Sequence, residues 1–314
     1  MLNNSKQRII EFTFKQVTAF AAAMVPIALV GIVVMLWHGS GPSLHAFGLH
    51  FLVSHVWNPV TEKFGAVVPV YGTIITSVIA LIIAVPVSFG IALFLTEISP
   101  RLLRTPLGMA IDLLAAIPSI IFGMWGLFVF APFFANTIEP WITTHVGNWP
   151  IVGAWVQGPP MGIGVFTAGF ILAIMIIPFI SAVMRDVFLL VPPVLKESAY
   201  GTGATTWEVV SQIVLPETRA GVVGGVILGL GRALGETMAV TFVIGNAHQL
   251  TQSLFMPGAT ISSTLANEFT EAIGPIYTSS LIELGLILFV LTFLVLATAK
   301  WILWSVKRKN EVLA

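Results

Sequence analysis

Six long apolar runs constrain this chain more than any other feature. They lie near residues 17–37, 67–95, 113–135, 161–184, 221–245 and 281–304. Each reaches the ~20 residues that an α-helix needs to cross the hydrocarbon of a bilayer. Inside hydrocarbon a segment must satisfy its own backbone N–H and C=O groups, so the runs are predicted to be helices. Composition points the same way. Of 314 residues, 57% are hydrophobic and 9% charged, with a mean hydropathy of +0.97. A soluble domain carries about a quarter charged residues, and so little charge would not cover a water-facing surface of this size. The expected fold class is all-α: a polytopic membrane protein of six transmembrane helices, with membrane lipid as its outer solvent.

The second run carries Pro69 and Pro86, which predicts a kink or a short interfacial helix ahead of the span. The first run follows Lys6, Arg8 and Lys15, as the core of a secretory signal would. It is about 21 residues long, however, and no small-x-small cleavage site follows it, so an uncleaved first span is expected.

Lysine and arginine segregate between alternate segments. Three lie in the N-terminal tail, two in 96–112, three in 185–220 and four (Lys300, Lys307, Arg308, Lys309) at the C-terminal end. The segments 38–66, 136–160 and 246–280 together hold only Lys63. The positive-inside rule then puts both termini in the cytoplasm, with the chain multi-pass in the inner (cytoplasmic) membrane. Zero net charge offers no broad field for nucleic acid. With no cysteine, disulfides, thiolate chemistry and zinc–thiolate sites are excluded. The six histidines (His38, His45, His50, His55, His145, His248) fall at or in outward segments. His45, His50 and His55 recur every five residues, which suits no single helix face. Solvated loop histidines are expected there rather than a metal site.

The segment 185–220 is polar and too long for a turn. From Lys196 to Pro216 it reads KESAYGTGATTWEVVSQIVLP, and Glu197, Ala199, Gly203, Ile213, Leu215 and Pro216 fit the pattern E-x-A-x3-G-x9-I-x-L-P. This resembles the EAA loop of binding-protein-dependent ABC importer permeases, with Ser198 replacing the first alanine, small for small. An ordinary amphipathic loop is the alternative. The resemblance implies two short helices at a turn, docked into a groove on an ATP-binding subunit, with Glu197, Ala199, Gly203, Leu215 and Pro216 as the coupling residues. Gly203 is expected to take the positive φ of a sharp bend, and Pro216 to stop the second helix. No lysine follows a glycine anywhere, so the phosphate-binding G-x-x-x-x-G-K-[ST] loop is absent. The chain is therefore expected to be no enzyme and to hold no cofactor, with ATP and Mg bound by a separate ATPase subunit.

Three further stretches sharpen the likeness: VPVSFGIALFLTE around Pro86, LLAAIPSIIFGMWGLFVFAPFF around Pro118, and LGLGRALGETMAVTFVIGN from Leu228. They look like the phosphate-specific permeases of the PstC type, over most of the chain from about Val67. The sister permease type, PstA, shares the fold; the longer outward loop between spans one and two favours PstC. The resemblance implies a type I ABC importer permease that translocates inorganic phosphate. Residues 1–66 would form the tail, first span and outward loop, 67–304 the transmembrane domain, and 305–314 a cytoplasmic tail. Its implied partners are a PstA-like sister permease, an ATP-binding subunit dimer and a periplasmic phosphate-binding protein. A permease for another oxyanion is an alternative. An ion-coupled secondary transporter would show repeated halves and broken helices, and no convincing repeat is visible.

Arg232 sits near the middle of the fifth run, with Glu236 four residues on. A charge at mid-bilayer costs ~2.5–3.5 kcal/mol on insertion scales and is a functional candidate by default. At 100° per residue, Gly225, Gly229, Arg232 and Glu236 project onto a stripe about 60° wide. The glycines would admit a second helix closely, so the stripe is expected to face protein. Two readings stay open. In one, Arg232 and Glu236 form an internal i,i+4 ion pair that only supports the bundle. In the other, Arg232 offers its planar fork to phosphate oxygens. Glu236 then accepts the proton that phosphate carries near neutral pH and sulfate lacks. Asp112 and Glu283 are expected at the N-terminal starts of the third and last spans, where acids are favoured. Lys300, near an inner helix end, is expected to snorkel.

Overall fold

The computed structural model describes residues 4–311, with no β-strand among them, so residues 312–314 of the expected tail lie outside the description. Six helices are long and apolar enough to cross a membrane: Ile10–Gly39, Val67–Ile98, Ser119–Val146, Val165–Leu189, Thr206–Leu234 and Pro275–Trp304. They are spans one to six below. The last helix runs on to Glu311.

Span four is the centre. In its most apolar stretch 67% of residues are buried, against 0% in span one. Ile171, Leu172, Met175, Ile176, Ile180 and Met184 are all inaccessible or nearly so. It lies along span two because small residues line the seam: Ala80 and Ala84 on one helix, Ala168, Gly169 and Ala173 on the other. A Cβ on Gly169 would stand 2.7 Å from Ile79 Cγ2, so only glycine permits the approach. The Ser88 hydroxyl crosses the same seam to donate to the Ile177 carbonyl at 3.1 Å. Span one instead leaves Phe14, Phe20, Val25, Ile27 and Met35 exposed, an apolar surface that lipid can solvate.

Pro69 falls in the first turn of span two, where no N–H is needed, and two short helices, Gly41–Phe47 and His50–Val53, lie ahead of the span. Span three differs from expectation. Pro118 holds Ile117 extended (φ −65°, ψ 129°), which ends one helix, Arg101–Ala116, and starts the span at Ser119. Asp112 is therefore not at the start of a span. It lies inside the separate helix, 3.5 Å from the Arg185 guanidinium.

The fifth run is interrupted. Span five stops at Leu234, Gly235 and Glu236 follow, and a short helix Met238–Val243 leads into a returning loop. That loop is pinned to span four by Gly164 N–H to Val243 O (2.9 Å) and Phe166 N–H to Leu254 O (2.8 Å). At the break Gly235 is exposed and Glu236 half-buried. Helix Ile261–Glu268 then leads to span six. Pro216 does not stop a helix, contrary to expectation. A wide π-turn, Val210–Val214, precedes it, and Pro216 sits at the start of the continuing helix, where its missing N–H costs little.

One further acid and one histidine also depart from expectation. Glu283 lies two turns inside the last helix, 3% exposed, and accepts a hydrogen bond from Ser43. His248 is no solvated loop residue: its Nε2 is 2.7 Å from Glu268 Oε1 and its ring stacks on Trp57. Glu268 Oε2 also accepts from Trp57 Nε1 and from the Tyr277 hydroxyl, each at 2.7 Å. Burial raises the Glu268 pKa, but these three donors outweigh it and hold the carboxyl below its ordinary value. One carboxylate thus ties the connection 38–66 to the connection 246–280 and to the start of span six.

Candidate translocation and coupling sites

The glycine stripe on span five meets span four. Cβ atoms on Gly221, Gly225 and Gly229 would lie 2.4 Å from Val187, 3.2 Å from Val183 and 2.5 Å from Ile180. One turn further, Arg232 continues this seam, its guanidinium carbon 3.9 Å from the Phe179 ring centroid. Arg232 is half-buried in the last turn of its helix, where the partial negative charge of the C-terminus favours a cation. Its Nε is buried and bonds to nothing.

Glu236 is not on the stripe, because the helix has ended. Its Oε1 accepts from the Ala239 N–H at 3.2 Å, so it caps the short helix after the break. Among the described residues no ion pair joins Arg232 to Glu236, both of which are half-buried at the interruption. The arrangement leaves a guanidinium held on an aromatic face with donor capacity to spare. A planar oxyanion edge would complement that fork. Phe179 was not legible as a partner, since nothing in the sequence aligns the two spans.

The segment expected to couple, from Glu197 to Pro216, begins as a hairpin. Its first arm is Pro193–Gly201 and its second starts at Thr206. Gly203 has φ +89°, and a Cβ there would meet nothing within 4 Å, so backbone conformation and not space calls for glycine. The bend closes with Gly203 N–H on Tyr200 O (3.0 Å) and Ala204 N–H on Ala199 O (3.1 Å). Thr205 and Glu208 form a reciprocal capping box that starts span five, a Thr-x-x-Glu signature present in the sequence. Glu197 and Pro216 are exposed, while Ala199, Ile213 and Leu215 pack partly against the core. Val194, Leu195, Tyr200 and Trp207 are 68%, 44%, 43% and 69% exposed, an apolar surface on an otherwise polar loop. Among the described residues no group of three or more His, Asp or Glu is placed to hold a metal ion.

A family model described as the inner membrane component of binding-protein-dependent transport systems matches residues 88–307. The chain belongs to that family. Among its relatives is the phosphate transport system permease protein PstC of Mesorhizobium japonicum, 59% identical over 95% of this chain and 91% of that protein. The PstC of Haemophilus influenzae is 57% identical over 94% and 93%. The probable PstC of Methanocaldococcus jannaschii is 36% identical over 90% of each chain. The fold is that of solved ABC importer permeases. A chain of a bacterial alginate ABC transporter superposes with a TM-score of 0.58 over 92% of this chain and 95% of that one, at 17% identity. A chain of the MetNI methionine ABC transporter gives 0.52 over 82% and 97%, also at 17% identity.

Proposed function

We propose that this chain is the phosphate-translocating permease subunit of an ATP-driven importer, with Arg232 as the anion contact in the pathway. The observation that carries this reading is the Arg232 guanidinium at the break in span five, held on Phe179 with, among the described residues, no carboxylate paired to it. A self-neutralised pair would attract an anion weakly; a free fork in a low-dielectric setting attracts one strongly. The phosphate transport named for relatives up to 59% identical supports the choice of oxyanion. Glu236 stands close in sequence and adds selectivity as an acceptor for the proton on phosphate.

The hairpin at Glu197, Ala199, Gly203, Leu215 and Pro216 faces the cytoplasm in this reading, as do both termini. Its exposed apolar residues seat in the ATPase subunit, which binds the ATP and Mg. A PstA-like sister permease completes the pathway, two ATPase copies drive it, and a periplasmic phosphate-binding protein delivers substrate. The test is reconstitution of the purified complex in vesicles with the binding protein. ATP-dependent uptake of radioactive phosphate, not competed by sulfate, is the expected result. Uptake of a different solute with no phosphate transport would replace this reading.

A further inference from the structure

A largely buried ion pair ties the coupling hairpin to the membrane body, and neither the coupling motif nor the span-five break accounts for it. Lys196 Nζ is 2.6 Å from Glu97 Oε1, with side-chain exposures of 17% and 5%. The same ammonium lies 3.4 Å from the Phe188 carbonyl. Glu97 sits in the π-turn Phe94–Ile98 that closes span two, and Phe188 is in the last turn of span four. One lysine therefore bridges the hairpin to the ends of the two most intimately packed spans.

The first arm of the hairpin has no fully buried residue, and its one apolar contact with the core is the half-buried Ala199. The second arm is fixed by Val209 and Val214, both fully buried. On the first arm, Lys196 and Ala199 are three residues apart and form the half-buried side. Val194, Leu195, Glu197 and Tyr200 form the exposed one. The arm presents one face outward and holds the body by a charge.

Stability alone is a poor reason for such a pair. Desolvating two charges offsets most of their attraction, and apolar residues of similar volume often serve a fold as well. A short ion pair does supply a directional connection between two bodies that must move together. We infer that Lys196 and Glu97 are positioning residues, an ionic clasp that passes displacement of the coupling helix to the ends of spans two and four. Span four then carries it to Phe179 beneath Arg232. Glu197 faces the ATPase; its neighbour Lys196 faces the spans.

The inference rests on the ATPase-coupled reading above, so its test includes a readout that needs no transported solute. The chain has no cysteine, so nitroxide labels can be placed cleanly on Ile98→Cys and Tyr200→Cys, positions 63% and 43% exposed. In the full complex, the distance between them is expected to stay constant when a non-hydrolysable ATP analogue closes the ATPase dimer. Glu97→Gln should let it change with nucleotide. In vesicles, Glu97→Gln and the Glu97→Met/Lys196→Met pair should keep the ATPase subunits bound and hydrolysing. Phosphate imported per ATP should fall about tenfold, within the range of interaction energies between contacting residues. The Met pair guards against misfolding around an unpaired lysine. The Glu97→Lys/Lys196→Glu exchange should recover most of the lost coupling. A wild-type distance that changes with nucleotide, an unchanged import ratio in both variants, or parallel loss of hydrolysis and ATPase binding would overturn the clasp. Failure of the wild-type complex to import phosphate would instead count against the proposed function and leave the distance result to stand on its own.

Discussion

Arg232 and Glu236 are four residues apart and yet belong to different pieces of structure, the last turn of span five and the cap of the helix beyond it. That separation frees the guanidinium for an anion and gives each residue its own test. Arg232→Lys keeps the charge and loses the planar fork, so phosphate uptake should fall on the order of tenfold or more without loss of complex assembly. Phe179→Leu removes a cation–π contact of ~0.5–2 kcal/mol, so a weaker apparent affinity for phosphate is expected, read as a raised KM for uptake. Glu236→Gln still offers an amide oxygen to the Ala239 N–H, so the short helix should persist. Reduced phosphate uptake with new inhibition by sulfate is the expected outcome, and unchanged discrimination would remove Glu236 from selectivity.

Helices and connections set where these residues stand. Gly72 on span two is closed over by the segment after the returning loop: an added Cβ would lie 2.1 Å from the Ala259 carbonyl, a backbone atom that has little room to give. Gly72→Ala should therefore lower the melting temperature of the detergent-solubilised protein. Gly90→Ala, with nothing within 4 Å, should leave it unchanged or raise it slightly. The Glu268 knot predicts a pH effect. A carboxyl whose folded pKa is depressed stabilises the fold above its unfolded value and loses that contribution as pH falls below it. The thermal stability of the wild type should thus drop faster than that of Glu268→Gln as pH is lowered below ~4.5, the ordinary value of the group. At this scale the sequence was only partly legible. Hydropathy over a window of ~19 residues located the apolar runs, because lipid demands a minimum length. The same averaging hid the break at Gly235, since the flanking Leu234 and Met238–Val243 keep the window apolar. It likewise drew residues 113–116, the end of the helix Arg101–Ala116, into span three, although Pro118 carried the local signal. Pro216 was misjudged because a π-turn can absorb a proline that an ideal helix would not.

The whole molecule is a bundle in which span four is enclosed and span one lies outside. That order could not be read from the runs themselves. In a membrane the lipid-facing and protein-facing sides of a helix are both apolar, so the polar–apolar periodicity that reveals packing in soluble proteins is weak. Small-residue stripes were the usable signal, and on span five they identified a close helix contact without naming span four as the partner. The hairpin was legible because its constraints are local: a positive φ at Gly203 and fixed spacing around it. The central claim is that phosphate meets Arg232 at the interruption in span five. The most direct measurement is phosphate uptake by the Arg232→Glu/Glu236→Arg exchange in vesicles carrying the whole complex. The exchange conserves net charge and moves the cation across the break, away from Phe179. The account predicts that uptake stays at background while the ATPase subunits remain bound and hydrolyse ATP. Uptake restored to near the wild-type rate would contradict it and return both residues to the scaffold.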